Sequence, residues 1–212
     1  MAEPSLDAAR TVEMLKAVCA AVIAAEPELS EADRKLGDGD HGIGMQRGMT
    51  AAGEKLDAGG IESIDKAFSA VGMAMMSSMG GASGALFGTF FRNGGKALSG
   101  RETFDASGLA DFVEAGAEGV MTRGGAKPGA KTMVDALEPA ARKAREVADQ
   151  SVQQALAAVA KAAEAGREAS KELIATMGRA KTLGEKSIGH PDAGACSVAI
   201  ILRSMADFVA AQ

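Results

Sequence analysis

Tryptophan and tyrosine are absent from this chain of 212 residues, and phenylalanine occurs only seven times. Aromatic rings usually supply much of a core's buried area. Here Ala, Leu, Val, Ile and Met must do so, which favours helices packed closely through small residues over an aromatic-rich β-sandwich. Runs of basic residues are missing as well. The formal net charge is −5 and Lys and Arg are scattered, which argues against a nucleic-acid partner. The two cysteines, Cys19 and Cys196, lie far apart in apolar helical surroundings. They have no metal-ligand spacing, so the expectation is buried free thiols in a reducing cytoplasm. No unbroken apolar run reaches the roughly 18 residues that suggest a membrane span. The N-terminus is polar and lacks the apolar segment of a signal peptide.

What the chain does have is helical periodicity. Val12, Leu15, Cys19 and Val22 share one face, and Ser30-Glu-Ala-Asp33 resembles a capping box opening a short helix. Helices are expected over 43–58, with Met45, Met49, Ala52 and Leu56 inward, and over 62–79, with Ile64, Phe68, Val71 and Met75 inward. Another runs through Leu86, Phe87, Phe90 and Phe91, and others over 106–122, 132–148, 151–177 and 191–211. The Ala/Lys/Arg/Glu-rich stretch 139–178 keeps an amphipathic spacing at Val152, Leu156, Val159 and Ala163, so it is not a linker. The expectation is an all-α bundle of roughly eight helices, with no strand and no internal repeat, forming one domain over residues 1–212.

Residues 33–44 read Asp-Arg-Lys-Leu-Gly-Asp-Gly-Asp-His-Gly-Ile-Gly. Asp33, Asp38 and Asp40 would repel one another unless a cation held them, and the glycines let the backbone fold around them. Such a set suits Mg²⁺, which takes a few carboxylates and leaves positions for water and phosphate. The rivals are turn formers and helix caps. An EF-hand loop starting at Asp38 fails, because Met49 stands where the bidentate Glu belongs.

The other glycines fall in breaks at 80–84, 124–129 and 184–194, which could gather at one end of a bundle. Gly80-Gly-Ala-Ser-Gly84 precedes a helix, where backbone N–H groups and Ser83 could bind phosphate; close helix packing through small residues is the alternative. Gly124-Gly-Ala-Lys-Pro-Gly-Ala-Lys-Thr132 is not a P-loop, since Ala130 separates Gly129 from Lys131 and the preceding segment is helical. Gly124, Thr132 or Met133 could still touch a nucleotide. Asp192 reads first as a helix N-cap, His190 as structural, and Arg179 as a cation at a helix C-terminus that could instead meet phosphate.

In this order the motifs resemble the nucleotide-binding L subunit of dihydroxyacetone kinases. The matching stretches are Asp33–Gly42, Gly80–Phe91, Lys131–Asp135 and Gly178–His190 with Asp192. The resemblance implies a barrel of eight up-and-down helices with a nucleotide site in the loops at one end. It implies that Asp33, Asp38 and Asp40 hold two Mg²⁺ ions bridging the phosphates of ADP or ATP, and that Ala82 and Ser83 contact phosphate. The nucleotide-contact positions match His41, Gly42, Ile43, Gly44, Gly124, Thr132, Met133, Arg179, Asp192 and Gly194. No residue of this chain is implied to act as the catalytic group. A separate K subunit would hold the ketone, a phosphotransferase-system phosphocarrier protein could rephosphorylate ADP, and a homodimer is left open.

Three positions depart from the family pattern: Gly44, where Asn is common; Ala130, where Asp is common; and Ala193, where Pro is common. The first two remove polar groups near the nucleotide, which leaves room for a different ketose such as a tetrulose. A non-catalytic nucleotide-dependent regulator and a fatty-acid kinase domain with the same barrel are the alternatives. A purely structural bundle would leave the Asp and Gly clustering unexplained.

Overall fold

Asp7, Asp105, Ser151 and Asp192 each carry an extended backbone just ahead of a helix, and each side chain accepts a hydrogen bond from the amide three residues on. These caps satisfy amides that a helix cannot pair internally. They start four of the nine α-helices that a computed structural model shows among the described residues, 5–211. Residues 1–4 and 212, the ends of the expected 1–212 domain, lie outside them. The helices are α1 (Ala8–Ala24), α2 (Glu26–Leu36), α3 (His41–Asp57), α4 (Ile64–Ser78) and α5 (Gly81–Ala97). After them come α6 (Ala106–Gly124), α7 (Val134–Glu146), α8 (Val152–Ala169) and α9 (Ala193–Ala210). Two short 3₁₀ segments, Ser170–Glu172 and Ala180–Ser187, lie between α8 and α9. No strand forms among the described residues. Leu6 and Phe104 exchange one isolated pair of backbone hydrogen bonds, at 2.9 and 2.7 Å.

Eight of the helices close a ring. In order, α1, α3, α4, α5, α6, α7, α8 and α9 each pack on the next, and α9 returns to α1. The ninth, α2, leans on α3 and α9 from outside. The all-α barrel expected from the sequence is therefore present, with α2 as the extra element that delivers the Asp loop. The α4–α5 connection is so short that these two neighbours must run antiparallel.

Small residues bring the helices together. A Cβ on Gly88 of α5 would lie 2.7 Å from the Gly72 carbonyl of α4 and 2.3 Å from Met76 Cγ. A Cβ on Gly94 would lie 2.4 Å from the Phe112 ring of α6. Those close approaches leave room for one aromatic cluster, in which Phe112 meets Phe68 at 4.3 Å and Phe90 at 4.9 Å between ring centroids. Five of the few phenylalanines, 68, 90, 91, 104 and 112, thus concentrate where α4, α5 and α6 meet.

The structure corrects two readings. Ser30 is not an N-cap: it sits inside α2, which opens at Glu26 with Pro27 in its first turn, and its hydroxyl donates to Glu26 at 2.6 Å. The helix expected over 151–177 ends at Ala169, and the chain is extended from Leu173. By length and composition α9 could cross a membrane, and it is the one such helix among the described residues. Here it is 67% buried in the barrel, and its Arg203 pairs bidentately with Glu164 of α8 at 2.8 Å. Both cysteines are buried and free, as expected, with burial raising each thiol to about 12.

Two substitutions test the packing. Gly88→Ala should cost about 1–3 kcal/mol, because the methyl group has no free volume. Gly53→Ala in α3 should stabilise by about 0.4–1 kcal/mol, since its Cβ would meet nothing closer than Cys19 Cβ at 4.0 Å. Denaturant unfolding of both variants checks the opposite signs.

Candidate functional site

The loop between α2 and α3 is short and bent by glycine. Gly37 N–H closes α2 onto the Asp33 carbonyl at 2.5 Å, and Gly39 turns the chain at φ +78°. Asp33, in the last turn of α2, is thereby set opposite Asp38 and Asp40, with one carboxylate oxygen of each within 4.8 Å of the others. Their repulsion is visible in Asp40, whose carboxyl is raised above its ordinary value by partial burial and then by Asp38. Arg179 opposes this; its guanidinium pairs with Asp38 and lies 3.9 Å from Asp40. Asp33 also accepts a hydrogen bond from the His41 backbone N–H at 3.2 Å. Three hard oxygen donors with no sulfur or imidazole among them fit Mg²⁺ rather than zinc.

Two helix N-termini open beside this cluster without a side-chain cap. Asp40 stands at the N-cap of α3 but makes no capping hydrogen bond, so the helix-cap alternative does not hold for it. Gly80, at φ +73°, has no side chain to cap α5. Both helices thus offer free amides and the positive end of the dipole, the arrangement that binds phosphate. His41 ties the wall together. Its Nε2 lies 2.8 Å from Ser197 of α9 and its Nδ1 3.5 Å from Ser83 of α5. Burial lowers its pKa, against the raising effect of Asp33, so at neutral pH it is an uncharged bridge between three helices.

These groups line a cavity of about 690 Å³ at one end of the barrel. Its polar side carries Asp33, Asp38, Asp40, Ser83 and Arg179, and its deeper side is apolar, through Leu86, Phe87, Val120, Met133 and Val134. Of the positions singled out in the sequence, Ile43, Gly44, Ala82, Gly124, Thr132, Asp192 and Gly194 also reach it. Gly42 does not. A Cβ there would lie 2.3 Å from the Glu26 carbonyl and 2.4 Å from Ser30 Oγ, so Gly42 is the place where α3 packs on α2. A Cβ on Gly44 would meet only Met79 Cε, at 3.8 Å, so that corner of the cavity is open.

The α6–α7 loop is not a P-loop in structure either; α6 ends at Gly124 with Gly125 left-handed at φ +67°. Asp135 organises this loop by accepting hydrogen bonds from the Gly129 and Thr132 amides at 2.5 and 2.8 Å. Arg179 does not follow a long helix; it sits on the irregular segment between α8 and α9 and reaches the Asp cluster from there. Asp192 caps α9, accepting from Ala195 N–H at 2.8 Å, and burial pushes its carboxyl up to about 7. Arg47, Met79, Arg123, Lys131 and Met177 also line the cavity. Spacing had not pointed to them; only Lys131 stood within a quoted motif, and nothing local marked it as buried.

The DAK2 domain model matches residues 35–207. The chain belongs to the DAK2 domain family. This DAK2 chain is 40% identical over 191 residues to the ADP-binding subunit DhaL of the PEP-dependent dihydroxyacetone kinase of Escherichia coli K12, covering 89% of the chain and 91% of that subunit. It is 39% identical over 197 residues to the D-erythrulose kinase of Mycolicibacterium smegmatis, covering 91% of the chain but 34% of that enzyme. Among solved structures, the dihydroxyacetone kinase of C. freundii in complex with AMP-PNP and Mg²⁺ superposes with a TM-score of 0.74 at 26% identity. That match covers 98% of the DAK2 chain and 35% of the enzyme, so the chain spans about a third of its length.

The Asp192 carboxyl gives a pH test. Its folded value of about 7 lies above the ordinary 3.8, so the folded protein keeps a proton that the unfolded chain has released. The stability this contributes is full below the unfolded value and is lost as pH rises through the folded one. Asn caps helices as well as Asp does. Asp192→Asn should therefore flatten the decline in denaturant midpoint between about pH 4 and about pH 7, and an unchanged slope would show that Asp192 is not its source.

Proposed function

We propose that this chain is the nucleotide-binding subunit of a dihydroxyacetone-type kinase, a phosphotransferase with an alcohol acceptor, taking ADP or ATP with two Mg²⁺ ions into the cavity at the barrel end. The observation that carries this is the convergence of Asp33, Asp38 and Asp40 with two uncapped helix N-termini on one cavity. The ADP-binding and AMP-PNP–Mg²⁺ relatives support it. Bound Mg²⁺ supplies positive charge against the phosphates. The three carboxylates would hold it, the amides of α3 and α5 and the Ser83 hydroxyl would receive phosphate oxygens, and Arg179 adds a cation beside them. His41, Ile43, Gly44, Ala82, Gly124, Thr132, Met133, Asp192 and Gly194 shape the remaining walls, and the apolar depth suits a flat base. For phosphoryl transfer, such positioning and electrostatics supply most of the catalysis.

The acceptor is a short ketose such as dihydroxyacetone, held by a separate ketone-binding K subunit, so the chain by itself transfers nothing. A phosphotransferase-system phosphocarrier is a further partner where ADP is recharged in place. The chain works as one domain in the cytoplasm, which fits its two unpaired cysteines. A tetrulose acceptor is the second reading, supported by the erythrulose kinase relatives and by the open corner at Gly44.

Calorimetric titration with ADP, with and without Mg²⁺, tests the reading. Binding should be tight only with Mg²⁺. Asp33→Ala, Asp38→Ala or Asp40→Ala should each weaken it by more than the roughly 10- to 100-fold that loss of an outer-shell partner costs, with helical circular dichroism unchanged. A variant that binds ADP normally would show that its carboxylate is not a ligand.

A further inference from the structure

Lys131 combines two features that a surface lysine never needs. It is 1% exposed, and at φ +58° it is the one non-glycine residue with a left-handed backbone among those described. A strained backbone and a buried cation persist only where the surroundings hold them in place. What holds Lys131 is a pair of main-chain carbonyls: Nζ donates to Ser170 at 2.6 Å and to Leu173 at 3.1 Å. Burial lowers its pKa, while Asp192, Asp135 and Glu172 favour the charge.

Those carbonyls begin the irregular segment that crosses the cavity. After the 3₁₀ turn Ser170–Glu172 the chain leaves the helical path, and Met177, Gly178, Arg179 and Ala180 form one wall. Its other attachments converge on the same two places. Thr176 N–H donates to the carbonyl of Ala130, next to Lys131, at 3.2 Å. Gly189 N–H donates to the Lys171 carbonyl at 2.8 Å, and Ala175 N–H to Ser187 Oγ at 2.9 Å. Ser170 is wholly buried, and its hydroxyl accepts from Asp192 N–H at 3.1 Å, which fixes the start of α9. Few apolar side chains anchor this stretch, so its position rests on polar contacts.

We propose that Lys131 is a positioning residue that latches the segment 170–192 across the cavity, and so sets Arg179 and Asp192 where a bound nucleotide meets them. The latch joins the α6–α7 loop to both ends of the segment through the Ser170 carbonyl and hydroxyl. Its role in binding rests on the nucleotide reading above; its role in the fold does not.

Lys131→Met keeps length and removes the donor. Amide exchange of the free variant should accelerate at Ala175, Thr176 and Gly189 by roughly tenfold or more, as expected for loss of hydrogen bonds to a charged group, and stay unchanged in α1, α4 and α5. ADP affinity with Mg²⁺ should fall in Lys131→Met and in Arg179→Ala. The double variant should be no weaker than the weaker single one, because Lys131 acts through Arg179. Unchanged exchange in the segment, uniform acceleration throughout the protein, or losses that multiply would each overturn the proposal. If the wild type binds no ADP, the proposed function fails and the exchange pattern alone decides the latch. If Lys131→Met does not fold, wild-type protein labelled at lysine Nζ decides it. One ammonium signal protected from solvent supports the latch, and no protected signal overturns it.

Discussion

Three carboxylates held within 4.8 Å of one another are the constraint on which the functional end of this barrel depends. Like charges at that range disfavour ionisation, and Asp40 is raised by partial burial and then by Asp38. The fold tolerates them because several nearby groups offer positive potential, against the negative end of α2 at Asp33. Two helix N-termini lack caps, an arginine arrives from a distant segment, and a backbone amide reaches Asp33. Four other helices, α1, α6, α8 and α9, begin with Asp or Ser caps that satisfy their own amides, whereas α2, α4 and α7 also start without a side-chain cap. What sets α3 and α5 apart is that their uncapped starts open beside the carboxylates on one cavity.

The rest of the barrel serves to keep that end rigid. Glycine contacts between α4, α5 and α6 bring backbones within reach of each other and clamp the phenylalanine cluster between them. His41 then carries the order of three helices to the cavity wall through one ring. On the opposite side the wall is not helical. The chain from Ser170 to Asp192 is held by backbone and hydroxyl hydrogen bonds around Lys131 and Ser187. Local opening is easiest where few buried apolar contacts must be broken, so a rigid wall and a looser one face each other across the same cavity.

Much of this was legible in the residue order. Asp33, Asp38 and Asp40 lie within eight residues of one another, so no long-range folding is needed to bring them together. Apolar stripes such as Met45, Met49, Ala52 and Leu56 gave the helices, because a helical face is a local repeat. The boundaries were less secure. Ser30 followed the capping-box pattern, yet Pro27 had already opened α2 a turn earlier. The helix expected over 151–177 stopped at Ala169, where the Ser170 and Leu173 carbonyls accept from Lys131 instead. Gly42 belonged to the right motif but faces α2, since consecutive positions on a helix cannot all face one cavity.

Residues near one another in the chain were enough to specify the all-α class, the carboxylate cluster and the glycine breaks, which became loops and the start of α5. Each of these depends on residues close together in the chain. Only the tertiary structure decided that Arg179 meets Asp38, that His41 bridges to Ser197, that an apolar helix long enough for a membrane is a barrel stave, and that Lys131 is buried in a left-handed turn. Those facts depend on the directions of side chains brought together from distant parts of the chain, and no local pattern encodes them.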